Sequence, residues 1–189
     1  MKNVVYHSSS ISDLKEIMPR VGTHGEPWVY AVSNKAMSAI FLAHGGDMML
    51  GSGMRDGKPF LCERFQGAFD LVYGGKSGSI YHLSGDNFES GKTSFKAEVV
   101  SSQIEKVLFE EHIVDTKAYL LSLIADEKID MFYYPHRPAH IPNDDQDLVD
   151  KTVHWVRQFG SDRMKNLVKY HPHLVERVTS ALGEVNDSI

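Results

Sequence analysis

The sequence predicts an α+β fold in which a bent, mainly antiparallel sheet is followed by a helical C-terminal extension. Short apolar runs separated by glycine occupy residues 1–114, whereas helical periodicity dominates residues 115–189. Only one clear helix is expected among the early runs, which argues against a regularly alternating parallel βαβ sheet. We therefore expect a β-rich domain over 1–114 with a helical extension over 115–189 packed on it as one structural unit.

Composition restricts the class of protein. A chain of 189 residues that is 42% hydrophobic can bury one core. Its net charge of -5 disfavours nucleic acid as a partner without excluding it. The single cysteine, Cys62, excludes an intramolecular disulfide and fits a reducing compartment. Because no apolar run approaches the ~20 residues that span a bilayer, we expect no membrane partner and a cytoplasmic location.

The first two predicted strands carry the polar groups of most interest. The first begins at Val4 and ends on His7 and three serines, Ser8–Ser10. A histidine and hydroxyls at a strand end suit hydrogen bonding to a polar small molecule such as a nucleotide. The second, Trp28–Ala31, brings in Tyr30, and Ser33 is expected to cap a helix that runs through Ala43.

The later part of the β-rich region contains a hairpin signal and several further strands. Asp56-Gly57 between apolar runs predicts a β-hairpin over 47–65. Gly74–Gly78 resembles a phosphate-binding loop but lacks its glycine spacing and precedes a strand, so we interpret it as a β-turn. Further strands are predicted at 69–73, 79–83, 95–100 and 106–109.

The C-terminal part contains three helical candidates. Asp115 is expected to cap the first. The predicted apolar face of this helix contains Ala118, Leu121, Ile124 and Ala125, and Leu120 and Leu123 widen it. Asn143 and Gln146 have capping-box spacing before a second helix, which Gly160 ends. Shorter helical segments are expected after Ser161 and after Pro172.

Familiar catalytic and metal motifs are missing from the sequence. It contains no G-x-G-x-x-G, no Walker-type loop, no G-x-S-x-G and no H-E-x-x-H. His136, His140 and Asp144 are spaced four apart, but the intervening prolines prevent a regular helix, so we expect a stiff surface loop and no metal. His44 and Asp47 either orient a general base or belong to a polar loop.

The N-terminal residues resemble a known superfamily. Tyr6-His7-Ser8-Ser9 with Leu14 and Pro19, followed by Val29-Tyr30-Ala31, is similar to the ADP-ribosyltransferase-like superfamily. That group includes rifampin-type ADP-ribosyltransferases and RNA 2′-phosphotransferases. The resemblance covers about residues 4–110 and continues through Ile80–Leu83, Asp86, Phe88 and Glu98–Ser101.

The resemblance implies a split, bent sheet of the ADP-ribosyltransferase type and NAD as a substrate, without a metal. His7, with Ser8 and Ser9, would bind ribose hydroxyls. Tyr30 would stack on the cationic nicotinamide ring. Glu98, or in second place Asp86, would stabilise the positive charge that develops on the ribose. The implied activity is transfer of ADP-ribose to an acceptor that the sequence does not name.

An alternative function is kept open by the departures from the family pattern. Ser8 and Ser9 stand where the family has glycine and threonine, and a clear E-x-E or Q-x-E pair is lacking. The nearest approximations, Gln103–Glu105 and Glu110-Glu111, follow the chosen strand. The alternative is a non-catalytic nucleotide-binding or protein-interaction domain on the same fold. In that case Tyr30 is a core residue, His7 bonds the backbone and Glu98 faces solvent.

Overall fold

The computed structural model describes residues 3–22, 25–43 and 46–183. These residues form both helices and antiparallel strands, which confirms the α+β class and the helical C-terminal region. The strands are β1 Val4–Ser9, β2 Glu16–Ile17, β3 Arg20–Val21, β4 Pro27–Val32, β5 Leu50–Arg55, β6 Lys58–Glu63, β7 Gly78–Ser84, β8 Glu89–Ser90, β9 Glu98–Ser101, β10 Glu105–Ile113 and β11 Asp130–Phe132. The α-helices are α1 Lys35–Ile40, α2 Ala68–Tyr73, α3 Thr116–Ala125, α4 Gln146–Phe159, α5 Lys165–Tyr170 and α6 Val175–Gly183.

The chain divides into two units that are not continuous in sequence. The first contains the described parts of Met1–His44, Ser52–Leu61 and Phe69–Met131. The second contains those of Gly45–Gly51, Cys62–Ala68 and Phe132–Ile189. Helix α3 therefore belongs to the first unit, although it follows the predicted boundary at residue 114.

The first unit is built on an eight-stranded sheet in the order β2-β10-β7-β1-β4-β9-β8, with β3 paired to β4. Every pair for which a register is resolved in this sheet is antiparallel. One face carries a core that includes Val5, Val29, Ala31, Tyr81 and Leu83. Helix α1 packs against β1 and β4. A second, three-stranded sheet has the order β11-β6-β5.

The predicted hairpin is confirmed at residues that the sequence singled out. Asp56 and Gly57 have φ angles of 52° and 80° and connect β5 to β6. Positive φ at both central positions matches the right-handed twist of the strands they join. A Cβ at Gly53 would lie 2.9 Å from the Phe60 ring, so glycine is needed for this close approach.

Several predicted elements are wrong in type or boundary. The expected strand over 69–73 is helix α2, in which Phe69 and Val72 are buried and Leu71 is exposed. Burial at a spacing of three residues is helical, and a run of five residues is too short to reveal this period. Asn34, not Ser33, caps α1, because its side chain accepts a hydrogen bond from the Met37 N–H at 3.0 Å.

The C-terminal helices follow the sequence signals except in part of one helix face and at one helix cap. Asp115 caps α3 through the Ala118 N–H, and Gly160, with φ of 90°, ends α4. Leu120 and Leu123, which the prediction added to the apolar side of α3, are buried, as is Thr116, whereas Leu121 is exposed. The capping box at Asn143 and Gln146 is also wrong. Asp145 occupies the N-cap in a left-handed conformation and directs its carboxylate to two arginines.

The second unit has its own apolar core. Residues from α4, α5 and α6 and the segments between them meet there. The fully buried members include Leu148, Leu167, Leu174 and Val178, and Trp155 packs against them. Among the residues that the structure describes, no helix has the length and apolarity needed to cross a membrane.

Candidate functional site

The first candidate site lies where β1 and β4 diverge. In the described part of the chain, β1 is in register with β7 along all six of its residues, but with β4 only at Tyr6 and Val32. Beyond that point the imidazole of His7 bridges the two strands, since its Nδ1 lies 2.7 Å from the main-chain oxygen of Tyr30. Because a carbonyl oxygen only accepts, Nδ1 is the donor of this hydrogen bond.

A cavity of about 340 Å³ opens at this divergence, and we call it the β1–β4 cavity. Four of the residues predicted to bind a nucleotide line it together: His7, Ser8, Ser9 and Tyr30. The rest of its lining was not predicted and is mostly apolar or aromatic, with one acid and one base: Ile11, Leu14, Glu16, Ile17, Met18, Arg20, Trp28 and Val29.

The side chains of His7 and Tyr30 belong to opposite faces of the sheet. Tyr6 is opposite Val32, so alternation places Tyr6 and Tyr30 on one face and His7 on the other. The Tyr30 ring packs edge-on against Trp28, with centroids 6.1 Å apart. A Cβ at Gly22 would lie 2.8 Å from the Tyr30 hydroxyl, so this glycine permits the ring position. His7 therefore reaches Tyr30 through its carbonyl.

Both serines make hydrogen bonds within the protein. The Ser8 hydroxyl lies 2.6 Å from both the carbonyl and the hydroxyl oxygen of Ser38, which ties β1 to α1. The Ser9 hydroxyl accepts the Ile11 N–H at 3.1 Å. Ser9 still has a hydroxyl proton to donate, whereas Ser8 serves chiefly as an anchor for α1.

The two predicted carboxylates lie outside the lining of the β1–β4 cavity. Glu98 is opposite Val32 and so shares a face with Tyr30. Burial, and then the charge of Glu98, raises the pKa of the Tyr30 hydroxyl. Asp86 is exposed and accepts a hydrogen bond from Ser84, which pairs with Val4 at the far end of β1. Three residues of strand, roughly 10 Å, separate that end from His7.

Glu110 lies on the same face of the sheet as His7. His7, Tyr81 and Glu110 are in register across β1, β7 and β10, and the Tyr81 hydroxyl lies 3.1 Å from Glu110. The Asp13 N–H also donates to this carboxylate, at 3.0 Å. Hydrogen bonds from Ser79 and from this N–H lower the pKa of Glu110. The sequence singled out the pair Glu110-Glu111 and, within Ile80–Leu83, Tyr81, but it gave neither of them a role here, and Ser79 was predicted only as part of a strand.

A group of potential metal ligands lies in the second unit. One ligand atom each from Asp145, His171 and His173 lie within 4.8 Å of one another. His171 is buried, its Nε2 hydrogen-bonds the Met48 carbonyl, and burial lowers its pKa. Asp145, however, already receives hydrogen bonds from two buried guanidinium groups, which oppose the approach of a cation. We therefore assign these residues to the packing of the second unit.

His140 and Asp144, predicted in a loop, are not part of this group, and His44 lies outside the described residues.

The comparisons with known proteins give no relative. Neither a family model, nor a curated protein, nor a solved structure matches this chain.

Proposed function

We propose that the β1–β4 cavity binds the nicotinamide riboside part of NAD and that the protein transfers ADP-ribose to an acceptor. The observation that carries this proposal is that His7, Ser8, Ser9 and Tyr30 line one cavity. Its volume of about 340 Å³ is near the lower end of the range for ligand pockets, which suits one nucleoside better than a whole dinucleotide.

The lining supports a division of the cavity into a polar and an apolar part. His7 and Ser9 offer an imidazole ring and a hydroxyl, polar groups that match the hydroxyls of a ribose. Val29, Ile17 and Trp28 offer apolar and aromatic surface for a flat ring. A cationic nicotinamide gains further from an aromatic face, because the ring quadrupole attracts positive charge.

The proposed reaction is a displacement at the ribose carbon that bears nicotinamide. The bond to the nicotinamide nitrogen breaks, and its electron pair leaves with neutral nicotinamide. A lone pair of the acceptor forms the new bond, and the acceptor proton passes to solvent. The positive charge that develops on the ribose needs a nearby carboxylate. We assign this role to Glu98, as the resemblance implies, because its charge acts on the Tyr30 hydroxyl. Glu98 does not line the cavity, and Glu16, which does, is the alternative.

The test combines NAD titration by calorimetry with chromatographic measurement of nicotinamide release. We expect His7→Ala to weaken NAD binding by about tenfold, the loss of one good hydrogen bond. Glu98→Gln should retain binding and reduce release by roughly 100-fold, the usual size of an electrostatic contribution. Asp86→Asn is the matched control and should change neither quantity.

Two results would contradict the proposal. One is the absence of saturable NAD binding, and the other is binding that His7→Ala leaves unchanged. Glu16→Gln tests the carboxylate assignment separately, because Glu16 is the acid that lines the cavity. If release falls in Glu16→Gln and persists in Glu98→Gln, the catalytic role belongs to Glu16.

A second candidate function is nucleotide binding without turnover. It is favoured by Ser8, whose hydroxyl is engaged by Ser38, and by Glu98, which does not line the cavity. NAD or adenosine nucleotides would then bind saturably in the same titration, and no nicotinamide would be released at any acceptor concentration.

A further inference from the structure

A second and larger cavity lies in the first unit. Its volume is about 680 Å³. Tyr6 lines it, whereas the next residue, His7, lines the β1–β4 cavity, and no described residue lines both. The two cavities are therefore distinct. We call the larger one the Lys35 cavity, after one of its lining residues.

A hydrogen-bonded cluster of polar side chains lines the Lys35 cavity. Glu111 accepts a hydrogen bond from Lys35 Nζ at 2.8 Å and another from the Tyr119 hydroxyl at 3.0 Å. The two donors use different oxygens of the carboxylate. His82 Nε2 lies 3.8 Å from Glu111, and the His82 ring is held edge-on between Tyr6 and Phe109. Glu111 thus fixes Lys35 and Tyr119 against the wall of the cavity.

Hydrogen bonds and burial shift the pKa values of three groups in this cluster. The hydrogen bond to Glu111 raises the pKa of Lys35, so the ammonium is retained. Burial raises the pKa of Glu111, but hydrogen bonds from Lys35 and Tyr119 outweigh it and the net pKa is lowered. Burial, and then the Lys35 charge, lowers the pKa of His82, which keeps that ring neutral.

Among the described residues, three ammonium groups line the Lys35 cavity, and each has a carboxylate partner. Lys35 pairs with Glu111 at 2.8 Å, Lys58 with Asp130 at 2.6 Å and Lys128 with Asp126 at 3.2 Å. Asp130 also pairs with Arg55 at 2.7 Å, so two cations share this carboxylate. The cavity thus gathers several ammonium groups in a chain whose net charge is -5.

The remaining lining can hold the uncharged body of a small molecule. Ser33, Asn34 and Ser122 contribute hydroxyl and amide groups, and Pro59 and Leu123 contribute apolar surface. The volume lies within the range of small-molecule sites, which combine apolar walls with a few convergent polar groups. An ammonium group that keeps donors beyond its carboxylate partner is suited to a phosphate oxygen.

We propose that the Lys35 cavity is a binding site for a small molecule that carries a phosphate group, with Lys35 and Lys58 as the phosphate ligands. Tyr119 is a positioning residue, because it holds Glu111 and through it Lys35. The site is separate from the β1–β4 cavity, since the two share no lining residue in the described part of the chain.

The test uses inorganic phosphate as the probe and the intact protein. Calorimetry should show saturable binding with a dissociation constant of roughly 1 mM. Lys35→Gln and Lys58→Gln should each weaken it by about tenfold, the expected loss of one charged hydrogen bond. Lys92→Gln is the matched control. It removes the same charge from an exposed lysine that pairs with Glu89, outside the cavity, and should leave binding unchanged.

Amide chemical-shift mapping locates the phosphate. Shifts concentrated at Lys35, Lys58 and Tyr119 support the proposal, and Lys35→Arg should retain them, because it preserves the positive charge. The proposal is overturned if phosphate does not saturate the protein, or if Lys92→Gln weakens binding as much as Lys35→Gln. It is also overturned if the shifts centre on His7 and Trp28, which would assign the phosphate to the other cavity.

Discussion

Tyr73 is a buried side chain whose hydroxyl has a defined partner. It is 2% exposed and donates a hydrogen bond to the Ile40 carbonyl at 3.0 Å. Burial raises the pKa of the phenol, so it remains a donor across the ordinary pH range. Tyr73→Phe should lower the free energy of unfolding by about 1 kcal/mol, since it leaves the carbonyl without this donor. Urea denaturation measures the difference.

The control for Tyr73 is the same change at an exposed tyrosine. Tyr133 is 48% exposed, so Tyr133→Phe should leave the free energy of unfolding unchanged. Equal stability of Tyr73→Phe and the wild-type protein would show that the hydrogen bond contributes nothing.

Asp145 is the carboxylate at the centre of a buried ion-pair network. It accepts hydrogen bonds from Arg64 at 3.1 Å and from both terminal nitrogens of Arg137, and all three side chains are less than a tenth exposed. Asp145→Asn should lower the free energy of unfolding by roughly 3 kcal/mol, because it leaves the buried Arg137 without its carboxylate, whereas Arg64 keeps Asp147. Asparagine tolerates the left-handed backbone at this position, so the change does not strain the main chain.

Thermal or urea denaturation of Asp162→Asn provides the comparison. Asp162 pairs with Lys165, but its side chain is 83% exposed. Removal of this pair should change the free energy of unfolding by less than about 0.5 kcal/mol, since solvent screens exposed ion pairs. Similar losses of stability in Asp145→Asn and Asp162→Asn would show that burial does not determine how much an ion pair contributes.

At the scale of elements, the segment 11–14 is held across the sheet by side chains of β7 and β10. The Tyr81 hydroxyl lies 2.7 Å from the Ile11 carbonyl and 3.3 Å from the Leu14 nitrogen, which donates to it. The Asp13 N–H donates to Glu110, and Asp13 has a φ of 62°. Because Ile11 and Leu14 line the β1–β4 cavity, these hydrogen bonds shape one of its walls.

Glu110→Gln should weaken the hydrogen bonding that holds segment 11–14. The stability difference from the wild-type protein should depend on pH, because only the wild-type carboxylate titrates. The pKa of Glu110 is lowered in the folded protein, so its stabilising contribution is present above the pKa of the unfolded state and is lost as pH falls through the folded value. The wild-type protein should exceed Glu110→Gln in stability by less than about 1 kcal/mol near neutral pH, because solvent screens the group. The difference should shrink as pH falls through the folded pKa of Glu110.

Hydrogen exchange of the Asp13 amide gives a local measurement of the same effect. Exchange should be faster in Glu110→Gln than in the wild-type protein at neutral pH, because the charged acceptor is removed. Glu89→Gln, at an exposed glutamate of β8, should leave it unchanged. A stability difference that does not shrink as pH falls through the folded pKa of Glu110 would contradict the assignment to this residue.

At the scale of the whole molecule, each unit has its own apolar core. Leu148 is 1% exposed in the core of the second unit. Leu148→Ala should lower the free energy of unfolding by roughly 2–5 kcal/mol through lost burial and an unfilled cavity. Trp155 packs against this core, so its fluorescence reports the transition directly. Leu71→Ala makes the same change at a leucine that is 55% exposed and should cost less than about 0.5 kcal/mol.

Local signals in the sequence were sufficient for many elements and for part of the candidate site. Asp56-Gly57, Asp115 and Gly160 mark a hairpin turn, a helix cap and a helix end, because each acts through its own backbone or an adjacent N–H. His7, Ser8 and Ser9 were recognisable as polar groups at one strand end, and Tyr30 followed on a neighbouring strand.

The Lys35 cavity could not be predicted in the same way. Lys35 and Glu111 are 76 residues apart, and Tyr119 reaches Glu111 from a third element. Each residue alone has the sequence pattern of a solvated surface position. Their proximity follows from the pairing of β10 with β7 and of β7 with β1, which no local pattern encodes.

The sequence by itself determined the α+β class, the antiparallel strands that begin with β1, and the polar character of the end of β1. Only the tertiary structure decided that β1 and β4 separate after Tyr6, that His7 and Tyr30 lie on opposite faces, and that Lys35, Glu111 and Tyr119 form one cluster. The physical reason is the separation along the sequence over which each interaction acts. Turns, caps and alternation act within a few residues, whereas strand register and the packing of α1 and α3 join groups from distant parts of the chain.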